Sequence, residues 1–320
     1  FLERSKYHML IIKKIKYKDY LYEWLINKKS FIKESTYANY SNIVFSYITP
    51  KLGNYYISEL NNKIIQDYIL YLHNTKGLAI KTIKDIIMIV KESIKCAINN
   101  NIIKNFDLKF NYPKSNNINH MYVLTKREQN ILMEYVLNNI NNKSIGILIS
   151  LLLGIRIGEL CALKWEDIDF KKKILHVNKT LQRIYIKDID KNLSKVIISL
   201  PKTNSSNRDI PINKELLDIL KTLKTNKEDY ILTGNNKNTE PRVYRSYFNT
   251  VLKKNNIKRI KFHSLRHTFA TNCISLGIDY KTVSELLGHS NINITLNLYV
   301  HPRLSQKKKC IEKIYKNVIK

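Results

Sequence analysis

The stretch Ile145–Leu153, IGILISLLL, holds nine residues without a charge. It is too short to cross a bilayer, which takes about 20 apolar residues. It is the most apolar run in the chain and reads as a buried helix. Gly154 stops it, and Arg156 then stands where the chain turns, not on a routine solvated face. No run of about 18 apolar residues occurs, so no membrane span is expected. The 320 residues suit two domains, and a hydrophobic content of 44% is enough for a globular interior. The opening FLERSKYHML lacks the order of a signal peptide and begins with Phe1, as a chain lacking its first residues would. Cys96, Cys161, Cys273 and Cys310 form no CxxC pair, which argues against a zinc knuckle or a disulfide framework and fits a reducing cytoplasm.

The pattern along the chain predicts a mainly α fold with a small antiparallel β-sheet, an α+β protein. Residues 1–16 form an N-terminal flank and 17–110 a helical domain. In that domain STYANYSNIVFSYI starts on a Ser35/Thr36 cap, and Pro50 with Gly53 closes the segment. Ile80, Ile83, Ile87, Val90, Ile94 and Ala97 recur at steps of three and four, which predicts an amphipathic helix. Its other face carries Lys81, Lys84, Lys91 and Lys95, either a solvated stripe or a phosphate contact. Polar residues 111–120, with Pro113, read as a linker.

From 121 to 320 a second domain follows. Thr125 and Glu128 have capping-box spacing, and a long apolar helix then runs to Gly154. ILHVNKTLQRIYI and KVIISLPKTNSSNRDIPI are strand-like, with turns between Lys187 and Ser194 and at Asn204–Asn207. The rest is mostly helical. Trp24 and Trp165 are expected as core anchors, and Tyr37, Tyr40 and Tyr47 as helix-packing residues.

Lys and Arg number 55 against 26 Asp and Glu, a formal charge of +29 that points to a polyanion, above all nucleic acid. AT-biased coding, which enriches Lys, is the bland source of such a charge. Ten of the basic residues are arginine. Two of these stand in suggestive places. Arg156 is followed three residues on by Glu159, and Arg266 follows His263 by three, so that each pair shares a helix face. Alone, each pair is an ordinary structural feature. Together with a histidine, a lysine on a hairpin and a tyrosine they make a chemical set. Arginines fork onto the oxygens of a phosphodiester, and histidine donates or moves a proton. Lysine protonates a leaving oxygen, and tyrosine attacks phosphorus. Such a site needs no metal, because its cations stabilise the charge. His263 and His267 have metal-ligand spacing but no evident third ligand.

Four ordered stretches carry a resemblance: LLLGIRIGELCALKWEDIDF, PKTNSSNRDIPI, HSLRHTFAT and LLGHSNINITLNLYVH. They resemble the motifs of the tyrosine recombinases, or phage-type integrases, from the first arginine box through the lysine hairpin to the closing His-then-Tyr box. The N-terminal STYANYSNIVFSYITPKLGNYYISEL resembles, more loosely, that family's core-site-binding domain. The resemblance implies that Tyr299 is the nucleophile and that Arg156 and Arg266 clamp the scissile phosphate. His289 adds a hydrogen bond and Lys202 is the general acid. His263 is general base or phosphate contact, and Glu159 holds the geometry. It further implies a site-specific recombinase of double-stranded DNA that forms a 3′-phosphotyrosyl intermediate, needs no cofactor and works as a cytoplasmic homotetramer. An excisionase or a DNA-bending protein is an expected accessory. The setting is a mobile element or, alternatively, Xer-type resolution of replicon dimers. A monomeric type IB topoisomerase and a catalytically silent DNA-binding relative are the other readings. Only about 20 residues precede the helical domain, too few for an arm-binding domain, so the enzyme is of the simple kind or lacks that part. The tail SQKKKCIEKIYKNVIK places Ile311, Ile314 and Val318 at helical spacing, a stripe for a neighbouring subunit or for its own domain.

Overall fold

The computed structural model describes residues 15–114, 122–189, 192–200 and 204–297, with six positions between 308 and 318. Two compact units emerge. One comprises Phe1–Asn119 with Ile184–Lys195, the other His120–Arg183 with Val196–Lys320.

The first unit is helical: α1 (Tyr17–Lys29), α2 (Glu34–Ile43), α3 (Thr49–Leu52), α4 (Asn62–Asn74) and α5 (Ile80–Asn99), with a π-helical turn at Val44–Ile48. The periodicity of α5 is realised. Ile83, Ile87, Val90, Ile94 and Ala97 are buried, joined by Ile86 and Ile89. They pack with Leu21, Trp24 and Leu25 of α1 and with Ile65, Ile69 and Leu72 of α4. Two phenols of α1 meet the same residue, which satisfies these buried polar groups. Tyr17 Oη meets Ser93 Oγ at 2.6 Å, and Tyr20 Oη donates to Ser93 O at 3.0 Å. Trp24 is buried and stacks on Tyr40 with ring centroids 6.0 Å apart.

One expectation at α2 needs correction. The helix begins at Glu34 after Lys33, so Ser35 and Thr36 lie inside its first turn and do not cap it. Helical backbone continues from α2 through the π-helical turn into α3, which carries Pro50, and Gly53 closes the segment as its C-cap. After α5 the chain runs extended. Phe106, Leu108, Phe110 and Tyr112 alternate onto the helical core. Gln66 holds Asn111 through both main-chain groups, at 2.9 and 3.0 Å. The outer part of the β3–β4 hairpin completes this unit. Lys187 donates from its backbone N to Ser41 Oγ at 3.0 Å and from Nζ to Ser46 Oγ at 2.7 Å.

The second unit opens on α6 (Lys126–Asn138). Its capping box is as the spacing predicts: Thr125 Oγ1 accepts from Glu128 N at 3.2 Å, and Glu128 Oε2 accepts from Thr125 N at 2.7 Å. A break at Asn139–Ser144 divides the apolar stretch, so the helix that ends at Gly154 is only α7 (Ile145–Leu153). All of α7 except Leu152 is buried. It forms the centre of the unit's core, which includes Trp165 and Phe248. Then come α8 (Ile157–Ala162) and the strands β1 (Ile168–Asp169), β2 (Ile174–Val177), β3 (Thr180–Ile186), β4 (Leu193–Ser199) and β5 (Arg208–Pro211). β1, β2 and β5 form one antiparallel sheet with Val177 opposite Arg208; β3 and β4 pair separately. The helices α9 (Lys214–Leu223), α10 (Pro241–Lys254), α11 (His263–Ser275), α12 (Tyr280–Leu287) and α13 (Ile292–Asn297) follow. Among the described residues no helix is long and apolar enough to cross a membrane.

The Tyr17–Ser93 pair gives a direct test of the first core. Ser93→Ala strands a buried phenol hydroxyl, which should destabilise the protein by about 1–3 kcal/mol. Urea unfolding of the two forms measures the difference, and coincident midpoints would show that the pair contributes nothing.

Candidate functional site

The site grows from three helix ends in the second unit. α7 stops because Gly154 adopts φ +65°, a conformation that glycine takes without a Cβ penalty. A Cβ there would lie 2.6 Å from Phe269 Cδ1. The chain then turns into α8, whose N-cap is Arg156. α12 ends likewise on Gly288 at φ +63°, where a Cβ would lie 2.8 Å from Ser205 O.

Helix C-termini expose carbonyls that need donors and that favour cations. Here arginines supply both. Arg266, 2% exposed, bridges two helix ends, with Nη1 on Gly154 O at 2.9 Å and Nη2 on Leu287 O at 2.5 Å. Arg156 donates from Nη2 to Gly288 O at 3.1 Å. Arg208 donates from Nε to Leu286 O at 2.7 Å. Three consecutive carbonyls of one helix end thus hold three guanidinium groups.

Glu159 ties the cluster together. Its carboxylate accepts from Arg156 N at 3.1 Å and Arg156 Nη1 at 2.7 Å, and from Arg208 Nη1 at 3.2 Å and Nη2 at 2.9 Å. Burial alone would raise its pKa. The hydrogen bonds and charge of Arg208, then the charge of Arg156, outweigh that and hold the carboxyl below its ordinary range. One carboxylate against three guanidiniums leaves a cationic excess. Arg156 is the accessible member, its side chain 34% exposed. Among the described residues it uses one Nη1 and one Nη2 contact on protein, so a guanidinium with five N–H groups has donors to spare for an anion.

Two histidines complete the arrangement. His289 Nδ1 lies 2.8 Å from Oγ1 of the buried Thr295. When that hydroxyl donates to Nδ1, the ring proton sits on Nε2, ready to donate to an anion. Desolvation first, then the charges of Arg266, Arg156, His263 and Arg208, bring the pKa of His289 down to about 3. His263, at the start of α11, is exposed. Desolvation, then His267, Arg266 and Arg156, bring it down to about 4. Its ring meets His267 edge to face at 4.5 Å. Among the described residues no group of three His, Cys, Asp or Glu can hold a metal ion. Both site histidines are therefore neutral at pH 7 in the free protein, and each offers one N–H.

The fold thus brings together five of the residues singled out from sequence: Arg156, Glu159, His263, Arg266 and His289. Lys202 and Tyr299 lie outside the described residues. Of the lysine stripe on α5, Lys84 lies over the Tyr112 ring at 5.4 Å and Lys91 over Phe110 at 4.9 Å, while Lys81 and Lys95 are exposed. Two residues escaped the sequence reading, Arg208 and Thr295. Arg208 had a visible signal. In RDIPI the inward positions are 208, 210 and 212, so a charged residue occupies a core-facing place beside two isoleucines.

Residues 122–306 match the Phage integrase family, a range that takes in Lys202 and Tyr299, and residues 16–73 match the family's N-terminal SAM-like domain. The chain belongs to the phage integrase family. It is 37% identical over 178 residues to a XerC-like tyrosine recombinase of Caldanaerobacter subterraneus, covering 50% of this chain and 45% of that protein. It is 23% identical over 311 residues to the ICEBs1 integrase of Bacillus subtilis, covering 88% and 78%. The chain spans 45–59% of the length of several curated relatives it matches. Among solved structures, the Tn1549 transposon integrase in complex with transposon right-end DNA superposes with a TM-score of 0.73 at 25% identity, over 92% of this chain and 98% of that one.

The neutral histidines make stability depend on pH. Their folded pKa values, about 4 and about 3, lie below the ordinary 6.5, so the unfolded chain binds protons first on acidification. Their contribution is full above pH 6.5 and is lost as pH falls toward 4. The urea midpoint should drop between neutral and mildly acidic pH, and a His263→Asn, His289→Asn double variant should show a shallower drop. An equally steep drop in the double variant would contradict the assignment.

Proposed function

We propose that this integrase-family chain is a site-specific DNA recombinase that cuts and rejoins strands through Tyr299. The observation that carries the reading is the built anion site: Arg156 and Arg266 fixed on helix-end carbonyls, with neutral His289 and His263 beside them. A phosphodiester is the anion such a pair of forks suits, and the charge of +29 favours a polyanionic partner. The phenol of Tyr299 attacks phosphorus, and the 5′ oxygen leaves with a proton from Lys202. A 3′-phosphotyrosyl bond then retains the energy for rejoining by a 5′ hydroxyl. His289 donates to a non-bridging oxygen, and His263, neutral near the site, accepts the phenol proton or contacts the phosphate. Glu159 keeps Arg156 in place and takes no part in bond making. Neither metal nor organic cofactor enters these steps.

The substrate is double-stranded DNA, with Lys81, Lys84, Lys91 and Lys95 of the helical domain as backbone contacts. The domains are 17–110 for core-site binding and 121–320 for catalysis, joined by 111–120. The wide overlap with the ICEBs1 and Tn1549 integrases favours integration and excision of a mobile element. The 37% identity to a XerC-like protein favours replicon-dimer resolution as the second reading. Assembly as a homotetramer is supported by the tail, where the helical residues Ile311, Ile314, Tyr315 and Val318 are all exposed on one stripe. An excisionase or DNA-bending protein would direct the outcome, and the cytoplasm, where the DNA lies, is the setting.

Nicked duplexes drawn from the flanks of the gene test the chemistry on denaturing gels. Wild type should form a covalent protein–DNA adduct that persists in EDTA, and Tyr299→Phe should form none. An adduct in Tyr299→Phe, or binding with a steep salt slope and no adduct in wild type, would contradict the reading.

A further inference from the structure

Arg208 belongs to neither the expected catalytic set nor the open surface. It lies on β5 with 8% of its surface exposed. Its guanidinium makes four hydrogen bonds: Nε to Leu286 O at 2.7 Å, Nη1 to Glu159 Oε1 at 3.2 Å and Ser206 O at 3.3 Å, and Nη2 to Glu159 Oε2 at 2.9 Å. With four of its five N–H groups engaged, it has little to offer a phosphate. What it grips is informative. Glu159 Oε1 is the same oxygen that receives Arg156 Nη1 at 2.7 Å. The carboxylate is held from one side by a buried fork and itself holds the accessible arginine. The fit leaves no slack, since a Cβ on Gly288 would lie 3.0 Å from Arg208 Cδ. Gly288 O is in turn the second acceptor of Arg156.

Both anchors of Arg156 therefore depend on Arg208, one through Glu159 and one through the packing at Gly288. We propose that Arg208 is a positioning residue of the strand-cleavage site, fixing Arg156 in the place where it meets the scissile phosphate. The inference rests on the recombinase reading above. Without Arg208, Glu159 keeps Arg156 as its remaining arginine partner and its carboxylate is free to swing, and Leu286 O loses its donor. Lysine restores the charge but not the fork, so it returns only part of the function.

The test uses the full chain and single-turnover adduct formation on nicked duplex DNA, with DNA affinity and thermal unfolding measured alongside. Arg208→Met should slow adduct formation about 10- to 100-fold, the scale of a small misplacement, while DNA affinity changes little. Arg208→Lys should fall between it and wild type, and it serves as the reporting variant if Arg208→Met does not fold. The decisive arm is a double-mutant cycle. In an Arg156→Ala background the Arg208 substitution should cause little further loss, because the residue it positions is gone. Losses that multiply would mean a general structural role and overturn the proposal, as would a folded Arg208 variant that cleaves at the wild-type rate. If wild type itself forms no adduct, the recombinase reading falls and this inference falls with it.

Discussion

The C-terminal end of α12 offers three successive carbonyls, Leu286, Leu287 and Gly288, and each takes a hydrogen bond from a different arginine. Guanidinium groups crowded into a partly buried site repel one another and lose hydration. Helix-end carbonyls and one carboxylate make the crowding tolerable, because they return hydrogen bonds and negative potential at the same points. The anchors come from separate parts of the chain: Gly154 after α7, Arg156 before α8, Arg208 on β5, Arg266 on α11 and Gly288 after α12. The central helix, the small sheet and the last helices converge on this one electrostatic knot. Its geometry is set before any ligand arrives, the condition under which fixed charges stabilise a developing anion well.

The same knot governs the histidines. Loss of water, with the cations around His263 and His289 added to it, keeps both rings neutral. A neutral ring can serve as an acceptor at one nitrogen and a donor at the other, whereas an imidazolium can only donate. Thr295 bears on which nitrogen of His289 does which. On the proposed function, a phosphodiester entering the site would bring negative charge close to these rings and favour their protonation, which would link DNA binding to proton uptake.

Much of the scaffold was legible in the sequence because its signals are local. The steps of Ile83, Ile87, Val90 and Ile94 mark a buried helix face, Thr125 and Glu128 a capping box, and Gly154 a helix stop. The Arg156–Glu159 and His263–Arg266 pairs were visible as spacings. The rest depends on contacts between distant residues and on main-chain acceptors, which leave no mark in side-chain pattern. Nothing in LLGH announces that three carbonyls there will bind arginines from elsewhere. Arg208 could have been noticed as a charge on the inward face of RDIPI, but its partner Glu159 lies 49 residues away. Ser35 and Thr36 misled because both are good cap residues, yet the helix starts earlier, after Lys33.

Whether the cluster works by neutralising phosphate charge can be asked of the DNA. A duplex whose scissile phosphate is replaced by a neutral methylphosphonate removes the charge that Arg156 is proposed to meet. Adduct formation by wild type, Arg156→Ala and Tyr299→Phe on the two linkages is the measurement. If the account is right, Arg156→Ala is severely slowed on the phosphate, approaches wild type on the methylphosphonate, and Tyr299→Phe reacts with neither. Equal impairment of Arg156→Ala on both linkages would contradict it.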